Sequence, residues 1–533
     1  MLLLLLALAV GASAWHHALP VSLMACAWGL LAAVSVTLWL GRVVVQAGWA
    51  RPAFTALCLA LVLGALVNTG VALVQVLAPQ WADGGWLATT SAAITGRAAG
   101  NVRQPNHLSS LLLWGLVALV WLQTVTAPYG ACLRSASLQK ASEWILPGVG
   151  GLLCIGLVLS GSRTGLLGVL MLAAWGGVDP RLSWTSRGPL LGLPVAYGLS
   201  WWAWRTWLAG QVGADAESRL SLHGDISASR FAIWSNAWDL IQQHPWTGVG
   251  WGGFNFAWSL TLFPSRPVAF FDHVHNLPLH FAVELGLPLA AVLCLLLGHA
   301  LLRLIRTGSD LPGNDGVMAA AASVMVLVMA LHSQLEYPLW YAYFLLPTGF
   351  LWGLGLAMGR VPATSLDTKS GGVPQSQGLR LWLLGCLVGG LALSLGGAWV
   401  IADYAKVAAI FAPPAEAQPL AERIDVGRQS MFFSHHAHYA SANEEALPER
   451  VLPAASIAAH NLLDTRLMTS WAKAYAAAGD LERARHLAQR LREFGHSKEF
   501  FAVCDAPTVA QEPLPFQCTP PTRDLTYKDF LRR

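Results

Sequence analysis

Long apolar runs separated by short polar breaks make up most of the first four hundred residues. They fall near 2–14, 19–40, 53–78, 106–127, 144–160, 164–177, 189–208, 277–302, 316–334, 338–358 and 380–402. Runs of roughly 17 to 25 apolar residues match the thickness of a bilayer crossed by a helix. The pattern predicts an all-α, polytopic membrane protein with about eleven transmembrane helices. The first run is short enough for a signal-peptide core, but no basic segment precedes it, so an uncleaved first helix is expected.

Two polar stretches interrupt this pattern on a larger scale. Residues 209–275 form the longest break, carrying Asp215, Glu217, Arg219, Asp225, Arg230, Arg266 and Asp272. Within it, Ser229 to Gln243 reads as an amphipathic helix lying at a membrane surface, closed by the Pro- and Gly-rich run His244 to Gly252. After residue 402 the chain turns polar and Ala-rich. Residues 1–402 are thus expected to form a transmembrane domain with one large loop, and 403–533 a small helical domain. In that domain 457–478, a Gly479-Asp480 turn and 481–494 read as a helical hairpin resembling one tetratricopeptide-type unit.

Loop cations orient the chain. Arg42 and Arg51, Arg134 and Lys140, Arg181 and Arg187, Arg303 and Arg306, and Arg360 and Lys369 fall in alternate loops, which are expected to be cytoplasmic. The linker 363–378 is then an ordinary cytoplasmic loop. His16-His17, 79–105, the Ser162-Arg163 turn, 209–275, Glu336-Tyr337 and the tail face the periplasm, with the amino terminus inside. Cys504 and Cys518 alone lie in the outer tail, where an oxidising compartment lets two thiols pair.

Composition narrows the class. The chain is 55% hydrophobic and 12% charged, with mean hydropathy +0.50, far from the roughly one-quarter charge of soluble domains. Its 25 tryptophans suit many membrane–water interfaces. The sequence has no Gly-rich phosphate loop, no Gly-x-Ser-x-Gly elbow and no basic strip, which argues against a nucleotide-driven pump or a nucleic-acid partner. His435-His436-Ala437-His438 lacks acids or cysteines at ligand spacing and reads as a solvated polar run, so no metal or cofactor is expected.

The chemistry concentrates on the outer side. Asp272-His273-Val274-His275-Asn276 puts titratable bases at a bilayer edge, just before an apolar helix. Pro105 suits a first helical turn, placing Asn106 and His107 beside orphan backbone donors, where they serve as an interfacial cap or an anion site. Arg163, among small residues at 160–165, is a snorkelling anchor or, as the small neighbours favour, a phosphate clamp. Arg230, near the start of the amphipathic helix, is a solvated face residue or one held at head-group level.

These residues carry a resemblance. Ser229-Arg230, His-Pro-Trp-Thr-Gly-Val-Gly-Trp-Gly at 244–252, His-Asn-Leu-Pro-Leu-His-Phe at 275–281 and Glu-Leu-Gly-Leu-Pro at 284–288 are similar to the O-antigen ligase and polymerase superfamily, over residues 100–360. His-Ser-Gln-Leu-Glu-Tyr-Pro-Leu-Trp-Tyr at 332–341 resembles its protein-glycosylating branch, the pilin-type O-oligosaccharyltransferases. The resemblance implies en bloc transfer of a preassembled glycan from undecaprenyl diphosphate to a hydroxyl, without nucleotide sugar or metal, at a bacterial inner membrane.

It further implies that His275 is the essential periplasmic histidine and that Arg163 and Arg230 hold the diphosphate. Gln104 and Tyr337 match polar positions of the branch. Asn106, His107, Asn276 and Glu336 support the acceptor side, and His273 is a second candidate base. The expected partners are the lipid-linked donor, a pilin-like or other periplasmic protein acceptor, and the bilayer. A lipid A core sugar or a second glycan is the alternative acceptor. A secondary transporter is the rival of another class, opposed by the missing half-to-half repeat and by polar groups gathered on the outer edge.

Overall fold

The computed structural model describes residues 1–89, 97–131, 145–212, 223–267, 270–360, 376–444, 447–495, 498–505 and 514–531. Arg134, Lys140, Asp215, Glu217, Arg219, Lys369 and most of the 363–378 linker lie outside them. The regular structure of the described residues is helical. It runs α1 (Leu2–His16), α2 (Val21–Gln46), α3 (Ala50–Leu77), α4 (Pro105–Ala131), α5 (Ile145–Ser160), α6 (Arg163–Val178) and α7 (Trp184–Val212). Then come α8 (His223–Gln243), α9 (Phe254–Leu260), α10 (Leu277–Asp310), α11 (Gly313–His332), α12 (Ala342–Met358) and α13 (Ser376–Phe411). The tail holds α14 (Leu420–Arg428), α15 (Ser434–Glu444), α16 (Pro448–Ala458), α17 (Thr465–Ala477), α18 (Leu481–Glu493) and α19 (Lys498–Asp505).

Every apolar run of the sequence lies in a helix. Among the described residues, α2, α3, α4, α10, α11 and α13 are long and apolar enough to cross a membrane, whereas α1, α5, α6 and α12 are shorter apolar helices. Local chemistry explains several boundaries: α4 opens at Pro105, whose missing N–H costs nothing at a first turn. Ser162 caps α6 by accepting from the Gly165 N–H.

The chain divides into two compact units, one of residues 34–220 and 298–390, the other of 1–33, 221–297 and 391–533. In the first, α4 and α11 are the enclosed helices, with 72% and 78% of their most apolar windows buried against 33% for α3. The small run Ala319–Ala322 on α11 is buried, and small residues let helices approach where lipid offers no hydrophobic drive. Trp114 on α4 donates its indole N–H to the Met325 carbonyl at 2.8 Å.

In the other unit, the loop after α8 and the tail share one core. All of α9 is buried. Asn255 donates to the Phe271 carbonyl at 2.9 Å and accepts from the Leu463 N–H at 2.8 Å, so one side chain ties loop to tail. Cys504 and Cys518 are disulfide-bonded, with Cα atoms 5.4 Å apart. The expected hairpin is present as α17 and α18, joined at Gly479 with φ +85° and capped by Asp464 and Asp480. Its first helix is shorter than the Ala-rich run predicted: α16 stops at Ala458, and the chain restarts at Thr465 because Asp464 captures the Leu467 N–H at 2.8 Å.

The histidine run also needs correction. It is not solvated: His435 is buried, with Nδ1 3.1 Å from the Ser22 hydroxyl. Ala and Ser neighbours let that face pack inward, a pattern that a helix of low amphipathicity hides. Burial pushes the His435 imidazole down to about 3, and it pushes His460 and His486 down to about 4. A group with a depressed folded value is neutral in both states above pH 6.5, while below that the unfolded chain takes up protons first. Stability is therefore lost as pH falls from about 6.5 towards about 4, by up to about 1.4 kcal/mol per pH unit for each histidine. Melting of the purified chain in detergent is expected to shift downward across that window, and His486→Gln to reduce the slope. A melting temperature unchanged from pH 7 to 5 would contradict it.

Candidate functional site

The candidate residues form two clusters, one in each unit. In the unit of 221–297, the loop before α10 is held from several sides. Trp234 of α8 donates its indole N–H to the Val274 carbonyl at 2.9 Å, and Arg230 stands one helical turn earlier, on the same face. Asn276 caps α10, accepting from the Leu279 N–H at 3.0 Å. Between them His275 adopts φ +59°, a left-handed conformation uncommon outside glycine and frequent at functional sites. Its Nδ1 lies 2.9 Å from the His273 carbonyl. A carbonyl only accepts, so Nδ1 carries the proton, and in the neutral form of the ring the lone pair lies on Nε2.

The same loop carries an acid. The Asp272 carboxylate approaches His273 Nδ1 at 3.3 Å. Burial opposes its charge, but the hydrogen bond from His273 and the electrostatic interaction with the His273 and His275 imidazoles outweigh it and hold the carboxyl at about 2. A carboxylate there favours an imidazolium nearby.

Behind the loop lies an arrangement that sequence reasoning missed. α10 is broken at Gly286, with φ +77° and ψ +161°, and Pro288 removes a further donor. The Val283 and Glu284 carbonyls, lacking helical partners, accept from the Val249 and Gly250 N–H groups at 2.9 Å each, and the Leu287 N–H donates to the Pro245 carbonyl at 2.8 Å. The Glu284 carboxylate accepts from the Gly252 and Phe254 N–H groups at 3.0 and 3.2 Å, and His280 Nε2 stands 3.5 Å from it. The two Gly-rich motifs are thus halves of one backbone clamp, which satisfies a helix break that bare hydrocarbon would not tolerate. The signal was present, since a Gly-x-Pro interruption inside an apolar run marks a break and Glu284 is an acid within such a run.

A methyl group on Gly286 would run into the Trp246 carbonyl. Gly286→Ala is expected to destabilise the chain by more than about 1–2 kcal/mol, the left-handed backbone cost alone. Gly298→Ala, in open helix interior, is the neutral control. Thermal melting and gel filtration in detergent read the difference, and equal stability of the two variants would refute the clamp.

The second cluster lies in the other unit. Arg163 begins α6 and is exposed, so a guanidinium and the N-terminal backbone donors stand together. Its neighbour Ser162 donates to Asn106 Oδ1 at 2.7 Å and accepts from Ser109 Oγ at 3.0 Å. Asn106 donates to buried Glu336 at 2.9 Å. Gln104 accepts from the His107 N–H at 2.8 Å. His107 Nδ1 lies 2.6 Å from the Tyr343 hydroxyl, with its ring 4.5 Å from Tyr341, on which Tyr337 stacks at 6.0 Å. Ser110 and His332, 2.8 Å apart, complete the network.

Five of the predicted residues (Gln104, Asn106, His107, Glu336 and Tyr337) therefore converge beside Ser162, next to Arg163. Tyr343, Ser109 and Ser110 were missed. Ser109 and Ser110 could have been found as a polar face on an apolar helix with His107.

Comparison with known proteins matches three family models to this chain: O-antigen ligase over 149–294, protein glycosylation ligase over 98–122 and the C-terminal part of a virulence factor membrane-bound polymerase over 320–508. The resemblance to the O-antigen ligase superfamily and its protein-glycosylating branch thus holds. A general O-oligosaccharyltransferase of Acinetobacter baylyi is 26% identical over 309 residues, 55% of this chain and 48% of the relative. A ComP-specific O-oligosaccharyltransferase of the same organism is 26% identical over 273 residues, 49% of this chain and 44% of the relative. The matched part spans about half the length of these relatives.

Proposed function

We propose that this chain, which carries O-antigen-ligase and protein-glycosylation-ligase segments, transfers a preassembled oligosaccharide en bloc from undecaprenyl diphosphate to a Ser or Thr hydroxyl of a periplasmic protein. About eleven helices cross the inner membrane, with the amino terminus cytoplasmic and both 209–275 and the tail, 403–533, periplasmic. The observation that carries the reading is His275: a left-handed histidine whose Nδ1–H is fixed on a carbonyl, leaving Nε2 as the base.

A hydroxyl is a poor nucleophile at neutral pH. Nε2 of His275 takes its proton as the oxygen bonds to the anomeric carbon and the bond from that carbon to the diphosphate oxygen breaks. Asp272 stabilises the imidazolium so formed. Arg163 and Arg230 hold the diphosphate, whose developing charge suits planar guanidinium forks better than lysines. Gln104, Asn106, His107, Glu336 and Tyr337 set the helix ends around Arg163, while His273 orients His275 through its carbonyl.

The match to a membrane-bound polymerase C-terminal model over 320–508 favours a second reading, in which the acceptor is another glycan. Protein in liposomes with undecaprenyl-diphosphate oligosaccharide distinguishes the two. Glycan on an added pilin-like protein supports the first reading, and longer lipid-linked glycan or modified lipid A core rejects it. Solute uptake by the same vesicles would favour a transporter.

A further inference from the structure

Arg97 has no part in the proposed chemistry, yet it touches the turn that presents Arg163. Its Nε–H donates to the Ser160 carbonyl at 2.9 Å, and the next residue, Ala98, donates its N–H to the Leu159 carbonyl at 2.9 Å. Leu159 and Ser160 are the last two residues of α5, and the final carbonyls of a helix find no partner along their own helix. The segment 97–98 therefore closes the end of α5 from another part of the chain.

The side chain is also fitted to the turn itself. Gly161 has φ +56°, and a Cβ placed on it would lie 3.2 Å from Arg97 Nε and 3.4 Å from Arg97 Cγ. The half-buried arginine stem thus lies across a bare glycine, at a position where only glycine combines the left-handed backbone with the room. The following residue, Ser162, is held by Asn106 and Ser109 of α4. Arg163 comes next and is exposed, so its backbone is fixed by two separate clasps while its guanidinium stays available. A side chain on a fixed backbone loses less freedom when it binds.

We propose that Arg97 is a positioning residue for Arg163, its Nε–H pinning the 160–163 turn so that the Arg163 fork is held ready for a phosphate of the donor. The inference rests on the reading of Arg163 as a diphosphate ligand. The contribution of Arg97 is the N–H at Nε and not its positive charge.

Two substitutions separate these. Glutamine carries a donor nitrogen at the same place along the side chain as arginine Nε, without the charge, and methionine supplies an unbranched stem with no donor. In liposomes with undecaprenyl-diphosphate oligosaccharide, Arg97→Met is expected to raise the donor concentration at half-saturation by about three- to tenfold, and Arg97→Gln to stay within about twofold of wild type. The kcat and the acceptor half-saturation should hardly move in either. In an Arg163→Ala background Arg97→Met should add nothing, because the residue it serves is gone. Equal weakening by Gln and Met, or full additivity with Arg163→Ala, would mean that the Arg97 charge acts on the donor directly and would overturn the positioning role. A donor requirement unchanged in Arg97→Met, with only kcat and melting temperature lowered, would reduce Arg97 to a structural part and overturn it too. Arg163→Ala with a wild-type donor requirement rejects the diphosphate reading and the positioning role together, whereas additivity beside a large Arg163 effect rejects the positioning role alone.

Discussion

His275→Ala is expected to lower glycan transfer by about 10²–10⁴-fold, the contribution of a positioned general base. The lipid-linked donor should still bind, because the base acts on a proton that moves only in the transition state. The left-handed backbone at His275 makes a folding control necessary, and His275→Asn is the appropriate one, since asparagine tolerates that conformation better than alanine. Both variants should elute and melt like the parent in detergent. Near-normal glycosylation by a folded His275 variant would remove His275 from the mechanism and make His273 the residue to test.

The second large effect concerns the donor. Arg163→Ala and Arg230→Ala are each expected to raise the donor concentration at half-saturation by roughly 10- to 100-fold, the worth of a charge-assisted hydrogen bond of about 1.5–3 kcal/mol. Arg→Lys should rescue only partly, since the charge returns without the planar fork. Acceptor half-saturation should stay close to wild type. A variant with an unchanged donor requirement would reassign its arginine to a surface role.

The helices could be read from the sequence because lipid forces every backbone group to be satisfied within its own segment, so apolar length reports the element directly. Arg163 at the start of α6 and Pro105 at the start of α4 followed from small and rigid residues at fixed places. The pairing of distant elements did not follow. Asn106 meets Glu336 across 230 residues, and no local pattern encodes that. The clamp between 244–252 and 284–288 was hidden for a related reason: the first read as a loop and the second as part of an unbroken apolar span, and only the break at Gly286 supplies the carbonyls that the loop's N–H groups need. In the tail, the Ala-rich run around 457–478 suggested one continuous helix, because alanine propensity outweighs in pattern what Asp464 decides by a single cap.

The most direct test of the central claim is the intact mass of a pilin-like acceptor after incubation with the reconstituted chain and an undecaprenyl-diphosphate oligosaccharide of known mass. The account predicts a gain of one whole oligosaccharide in a single step, released by alkaline elimination from Ser or Thr and lost in His275→Ala. An unmodified acceptor beside lengthened lipid-linked glycan, or sugar-by-sugar increments, would contradict it.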